Sequence, residues 1–282
     1  MKDLTVAALQ MVSGEDVAAN LAQGYRLAQK AASEGAEIAL LPENFAHLAD
    51  QGSYSAAETF ASGDACPQQQ PIQHAVQHWA RELGIWLIAG ATPLLDRPNG
   101  QPTAGRRCRS ACLVYDNHGR LHARYDKIHL FDVDVDDAAG RYRESNSIEP
   151  GDAPCTISTP FGKLGLSICF DLRFPELYRT LASAGAEVIV VPAAFTHATG
   201  QAHWLTLLKA RAIENGCYVI AANQGGQHSA KRHTWGHSVI IDPWGDVLAE
   251  AGEGEAVITA TLSSTTLEKV RRNMPLLSMR RL

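Results

Sequence analysis

The six cysteines, at 66, 108, 112, 155, 169 and 217, include no Cys-x-x-Cys pair and no paired zinc spacing, which removes the common structural zinc motifs. Basic residues are not in excess. Lys and Arg number 25 against 30 Asp and Glu, a net charge of −5, so the basic footprint of a nucleic-acid binder is missing. The one dense basic cluster, Arg271, Arg272, Arg280 and Arg281, reads as a solvated helix face and tail. No apolar run approaches the length of a membrane span. The first apolar run is too short for a secretory signal and has Asp3 at its head, so a cytoplasmic protein without membrane contact is expected. No Gly-x-Gly-x-x-Gly loop follows the first strand of either half, and a dinucleotide site is unsupported.

What is present is an ordinary globular composition, 282 residues with 45% hydrophobic and 20% charged, enough for a large core. Leu164, Leu166 and Ile168 alternate as in a strand, and Cys169 follows at once. Asp171 is placed to cap a helix, and Pro175 suits a first helical turn. A cysteine at such an elbow lies beside free backbone N–H groups and a positive helix end, both of which favour the thiolate. Taken alone, Cys169 reads more readily as a small core residue than as a catalyst, and Cys112 and Cys217, in their apolar runs, read as core.

The chain repeats itself. Strands are expected over 4–11, 38–41, 85–89, 109–115 and 121–125, and helices over 16–33 and 72–83. Gly35-Ala36-Glu37-Ile38-Ala39-Leu40-Leu41-Pro42-Glu43 returns as Gly185-Ala186-Glu187-Val188-Ile189-Val190-Val191-Pro192-Ala193, an offset of 150. Gly84–Ala89 returns as Gly216–Ala221, offset 132, and the Asp116–Gly119 turn as Asp242–Gly245, offset 126. Thr5–Leu9 stands where Leu164–Ile168 stands, offset 159. The unit strand–helix–strand–helix–strand–strand, used twice, gives an α/β fold. Its two copies form either a four-layer α-β-β-α sandwich with a pseudo-twofold axis or a single doubly wound sheet.

Chemistry is expected where the repeat breaks. Glu43 stands opposite Ala193, and Cys169 stands opposite Gln10 or Met11. In a stacked pair of units these strand ends meet at one cleft. Lys127, in Tyr125-Asp126-Lys127-Ile128-His129-Leu130-Phe131, follows a strand and is flanked by apolar residues, unlike a merely solubilising lysine.

At these residues the chain resembles, from end to end, the nitrilase superfamily of carbon–nitrogen hydrolases. The motifs are Leu41-Pro42-Glu43-Asn44, the 125–131 segment and Ile168-Cys169-Phe170-Asp171-Leu172-Arg173-Phe174-Pro175-Glu176. The resemblance implies the α-β-β-α sandwich as one domain over 1–282, a homodimer, and a catalytic set of Glu43, Lys127 and Cys169. It also implies a positioning Glu144 ahead of Pro150-Gly151-Asp152, and no cofactor or metal. The segments 143–147, 199–204 and 231–238 are similar to the Nit-type amidases. Gly225-Gly226-Gln227-His228 with Lys231-Arg232 leans toward the branch acting on deaminated glutathione rather than the ω-amidases, which take α-ketoglutaramate.

The implied chemistry is hydrolysis of a small-molecule amide through a cysteine thioester. Glu43 moves the proton, while Lys127 and a backbone N–H near Phe170 hold the oxyanion. Arg173 is a candidate for a substrate carboxylate or, equally, for a helix-surface or interface ion pair. Phe195, Thr196 and His197 are expected to line the pocket with Phe170, and Trp204 to lie in the core. Three other readings fit the residues less well, since the histidines match no zinc spacing, a calcium loop would need glycine at Asp137 and glutamate at Arg143, no papain-like or caspase-like signature is present, and the Glu43, Lys127 and Cys169 set is intact. The first is a metal enzyme built on His228, His233 and His237, or on Asp132, Asp134 and Asp136. The second is a cysteine peptidase with His129 or His197 as base. The third is a non-catalytic binding member of the superfamily.

Overall fold

A computed structural model describes residues 1–281. The first half runs β1 (Leu4–Gln10), α1 (Val17–Ser33), β2 (Ile38–Leu40), α2 (Pro71–Leu83), β3 (Trp86–Leu94), β4 (Arg109–Tyr115) and β5 (Leu121–Asp126). A short hairpin, β6 (Asp132–Asp134) and β7 (Arg141–Arg143), leads to the second half. That half runs β8 (Cys155–Thr159), β9 (Gly162–Leu166), α3 (Pro175–Ser183), β10 (Val188–Ala193), α4 (His197–Asn215) and β11 (Tyr218–Asn223). A second hairpin, β12 (Gly225–Gln227) and β13 (His233–Trp235), is followed by β14 (Val239–Ile241), β15 (Val247–Glu250), β16 (Ala256–Leu262) and α5 (Ser264–Asn273).

Two six-stranded sheets result, ordered β16-β1-β2-β3-β4-β5 and β8-β9-β10-β11-β14-β15. In both, the second to fourth strands are parallel and every other pairing is antiparallel. The sheets pack face to face, with β1 against β11 and β3 against β10, while α1 pairs with α2 and α3 with α4. This is the four-layer sandwich, and the single doubly wound sheet is excluded. The parallel strands are buried on both faces. Ile38 and Leu40 enter the cluster between the sheets, whereas Ala39 and Leu41 enter the one under α1 and α2.

The registers confirm three of the four repeat offsets and correct the other. Ile38 pairs with Trp86 as Val188 pairs with Tyr218. The Asp116 and Asp242 turns close alike, each by an N–H from its glycine to the aspartate carbonyl. In the first strands, however, Val6 pairs with Ile38 as Leu164 pairs with Val188. Val6, not Thr5, is therefore the counterpart of Leu164, an offset of 158. A one-residue slip would reverse the faces. Val6 and Leu164 both point between the sheets, whereas Thr5 is half-exposed. The counterpart of Cys169 is thus Met11.

Helix ends follow local chemistry. Asp16 accepts from the N–H groups of Ala18 and Ala19 at 2.9 and 3.1 Å and starts α1. Pro71 opens α2, and Gly84 at φ 66° ends it. Pro175 opens α3 as expected. Asp171 does not cap that helix. Phe174 occupies the cap position, and the Asp171 carboxylate turns back to the N–H of Ile168.

Candidate active site

The ends of β2, β5, β9 and β10 meet at one cleft of about 640 Å³. Carboxyl ends of parallel strands are where open α/β sheets place ligands. Glu43 arrives just past β2. Leu41 donates its N–H to the Ile88 carbonyl at 2.9 Å, and the Glu43 carbonyl accepts from Gln224 Nε2 at 3.1 Å. Asn44 then turns the chain away at φ 57°, a left-handed conformation that asparagine tolerates better than most residues. Gly90 of β3 passes beneath, where an added Cβ would stand 2.2 Å from the Pro42 carbonyl oxygen. This explains why Leu-Pro-Glu-Asn needs a glycine on the neighbouring strand.

Lys127 leaves the end of β5, held by its own N–H on the Ser110 carbonyl at 2.9 Å. Its carbonyl accepts from Gly151, which must be glycine because a Cβ there would meet the Asp126 carbonyl at 2.2 Å. The Lys127 side chain is buried, and Nζ donates to Glu43 Oε1 at 2.8 Å and to both Glu144 oxygens at 2.8 and 2.9 Å. Burial opposes the ammonium, but Glu144 and Glu43 outweigh it and hold Lys127 charged, well above the usual lysine range. Glu144 also accepts the Phe131 N–H at 2.6 Å. Burial raises its carboxyl above the ordinary value, and Lys127 works against that shift.

Cys169 begins a five-residue 3₁₀ turn, Cys169–Arg173, at φ 48°. A non-glycine residue held there stores about 1–2 kcal/mol of strain, and such positions cluster at active sites. The side chain lines the cleft together with Glu43, Lys127 and Ala194. The surroundings oppose the thiolate that the elbow alone favours. Burial and then the Glu43 charge push the thiol well above its usual range, and Lys127 only partly opposes them. Both causes favour the neutral thiol over the thiolate.

Asp171 was expected to cap a helix, and its actual task went unread. Fully buried, it accepts from Ile168 N–H at 2.9 Å, Tyr125 OH at 2.7 Å, and the N–H and Nδ1–H of His129 at 3.0 and 2.7 Å. It therefore ties the cysteine elbow to the strand end that carries Lys127. Arg211 holds the other side of the elbow, donating twice to the Leu172 carbonyl at 2.8 and 3.0 Å. Asp171→Asn would set an NH₂ group against an N–H whichever way the amide turned. We expect a loss of about 2–4 kcal/mol of stability with a large fall in turnover, read by urea denaturation and by rate. Wild-type melting and turnover together would refute this.

Of the expected lining residues, Arg173, Phe170, Phe195 and Thr196 reach the cleft. Arg173 makes no ion pair within the chain among the described residues, contrary to the helix-surface alternative. Its guanidinium lies 5.7 and 5.3 Å from the Phe170 and Phe195 ring centres and donates to His203 Nδ1 at 3.2 Å. His197 is a correction. It does not line the cleft, because the first turn of α4 carries it outward onto His233, ring centres 4.5 Å apart, and to Glu253 at 3.4 Å. Trp204 is core, donating to the His237 carbonyl at 2.7 Å. Unforeseen lining residues include Tyr54, Arg106, Tyr142 and Arg232. They come from loops and hairpins, where no periodicity announces a direction.

The peptidase reading and the metal sets named above find little support in the structure, although His233 lies with His197 and Glu253, their ligand atoms within 4.8 Å of one another. His129 is bound to Asp171, stacked on Phe174 at 3.7 Å and not among the residues that line the cleft with Cys169, which counts against it as a peptidase base. His228 is bound to the Ser13 carbonyl and the Thr234 hydroxyl, so it does not converge with His233 and His237. Asp134 pairs with Arg143, and Asp132 accepts from the Ser145 N–H, on an ordinary hairpin.

The sequence profile of the carbon-nitrogen hydrolase family matches residues 5–272. The chain belongs to that family. It is 41% identical over 282 residues to the deaminated glutathione amidase of Yersinia enterocolitica, covering 100% of this chain and 94% of that protein. It is 44% identical over 282 residues to that of Synechocystis sp. strain PCC 6803, covering 99% of each. The crystal structure of the C. elegans NitFhit protein superposes with a TM-score of 0.87 at 34% identity. The match covers 100% of this chain and 66% of that one. The chain is thus an amidase of the nitrilase superfamily, acting on small-molecule amides, and among its described residues no helix is long and apolar enough to cross a membrane.

Proposed function

We propose that this amidase hydrolyses the amide of deaminated glutathione through Cys169, with Glu43 as the proton carrier, Lys127 as the oxyanion partner and Glu144 as the residue that positions Lys127. The observation that carries the assignment is the buried ammonium of Lys127, bonded to Glu43 and Glu144 beside a neutral thiol. Glu43 takes the Cys169 proton as sulfur bonds to the amide carbon. Lys127 has three N–H bonds. In the resting site all three face glutamate oxygens, one on Glu43 and two on Glu144, and the oxyanion takes one of the two that Glu144 holds. The Phe170 N–H, in the first turn after the nucleophile and without an intrahelical partner, supplies a second donor. Collapse breaks the C–N bond, and protonated Glu43 gives its proton to the departing amine. Water then loses a proton to Glu43 and attacks the thioester. Cys169 leaves, recovers its proton from Glu43, and the acid is released.

Substrate size and charge support the reading. A 640 Å³ cleft lies in the range of about 300–1,000 Å³ that takes drug-sized ligands, ample for a tripeptide-like acid. A half-buried guanidinium without an acid partner is costly unless an anion arrives, so Arg173 is assigned the carboxylate of the α-keto acid portion. The test is release of 2-oxoglutarate from deaminated glutathione and from α-ketoglutaramate side by side. A clear preference for the former is expected, and inactivity on both would reject the assignment. Arg173→Ala should raise KM for both by about 10- to 100-fold. An unaltered KM would dismiss its role.

The same reading includes one catalytic domain spanning 1–282, a cytoplasmic homodimer and no cofactor. Six free thiols fit a reducing compartment. Light scattering of the purified protein should give twice the mass of one chain.

A further inference from the structure

The cleft carries more positive charge than its catalytic set uses. Lys127 is matched by two glutamates, and Arg141 and Arg143 by Asp134. Arg106, Arg173 and Arg232 also line the cleft, and none of them has a carboxylate within 4 Å among the described residues. Arg173 sits four residues from the nucleophile. Arg232 stands apart from it, on the turn that closes the β12–β13 hairpin.

The backbone of Arg232 is fixed. Its carbonyl accepts the N–H of His228 at 2.9 Å, and its own N–H donates to Ser229 Oγ at 3.1 Å. The turn is moored to the neighbouring loops. Ser229 Oγ donates to Asp50 Oδ1 at 2.9 Å, and His228 Nδ1 donates to the Ser13 carbonyl at 2.7 Å. His228 Nε2 then accepts from the Thr234 hydroxyl at 2.6 Å. This arrangement needs a neutral imidazole, and burial supplies it by lowering the His228 pKa to about 4. Asp50 faces the same part of the rim but is engaged by Ser229, and Tyr142 by Asp137. A rigid backbone therefore carries a half-buried guanidinium with no acid of its own.

We propose that Arg232 binds a second carboxylate of the substrate, on the amine side of the scissile amide, with exposed Arg106 adding attraction at the mouth. This rests on the proposed amidase function and deepens it. The preferred substrates are amides whose leaving amine is a short peptide ending in a free carboxylate. One arginine then anchors each end of a dianion, with the scissile bond held between them over Cys169.

The experiment compares deaminated glutathione with the analogue in which methylamine replaces glycine. The scissile amide is kept and one carboxylate is lost. Wild-type enzyme should favour the acid by about 10- to 100-fold in kcat/KM, mainly through KM. In Arg232→Ala that ratio should collapse to about one, and Arg232→Lys should fall between, because it keeps the charge and loses the fork. Matching thermal midpoints establish that the variants fold. Equal wild-type rates on the two compounds, or a ratio that survives Arg232→Ala, would overturn the proposal while leaving the amidase assignment standing. Wild-type enzyme that turns over α-ketoglutaramate but neither longer compound would instead reject the substrate assignment, and Arg232's role with it.

Discussion

Cys169→Ala should remove turnover by a factor of at least about 10⁴, as loss of the nucleophile does where catalytic residues act as one unit, without unfolding the protein. The side chain is small and lies at a cleft wall, so truncation opens no cavity in the packed core. Cys169→Ser should fare little better, since a hydroxyl is harder still to deprotonate. The state of the thiol gives this prediction a second edge. Burial and the Glu43 charge hold Cys169 protonated at neutral pH, so alkylation by iodoacetamide should be slow at pH 7. Its rate should go on rising past the ordinary thiol pKa of about 8.5. A labelling rate already at plateau below pH 8 would mean a preformed thiolate and would sink the neutral-thiol mechanism. Wild-type turnover by Cys169→Ala would sink covalent catalysis altogether.

The central architecture was legible because it is written twice. The segment from Gly35 to Leu41 and its copy from Gly185 to Val191 are continuous apolar strands after the same Gly-Ala-Glu turn, and continuous apolarity is what a strand covered on both faces requires. The positions where the copies differ, Glu43 against Ala193 and Cys169 against Met11, are where polar groups sit at the strand ends. The slip of one residue in aligning β1 with β9 has a physical source. Ala7 and Ala8 are small on both faces, so composition alone does not fix which face looks inward, and only the register with Ile38 decides. His197 misled for a related reason. It follows Phe195 and Thr196, which do reach the cleft, but Thr196 caps α4 and the helix turns the next side chain away. Asp171 was read by its local capping tendency. Its partners Tyr125 and His129 lie more than forty residues upstream, beyond any local pattern. Arg232 and Arg106 were unreadable as lining residues because turns carry no period, although their lack of acidic partners became plain once the loops were in place.

Glu43→Gln isolates the proton carrier from the frame around it. The amide is nearly isosteric, and Lys127 keeps Glu144 as its counter-charge, so the fold should persist. Turnover should fall by about 10²–10⁴-fold, the usual worth of a positioned general acid–base group. A purely structural role for Glu43 would predict the same loss, so the thiol provides the discriminating measurement. The Glu43 carboxylate raises the Cys169 pKa while Lys127 lowers it. Removing the negative charge leaves the positive one, and the pKa of the thiol must drop. Iodoacetamide should therefore label Cys169 faster at neutral pH in Glu43→Gln than in wild type, while amide hydrolysis collapses. A thiol that is easier to ionise in an enzyme that turns over less means that proton delivery to the departing amine and proton removal from water, not thiolate formation alone, set the rate. The double variant Glu43→Gln/Cys169→Ala should be no slower than Cys169→Ala, because without the sulfur there is no proton for Glu43 to carry. If labelling and hydrolysis fell together in Glu43→Gln, the glutamate would be holding the site in shape rather than moving protons through it.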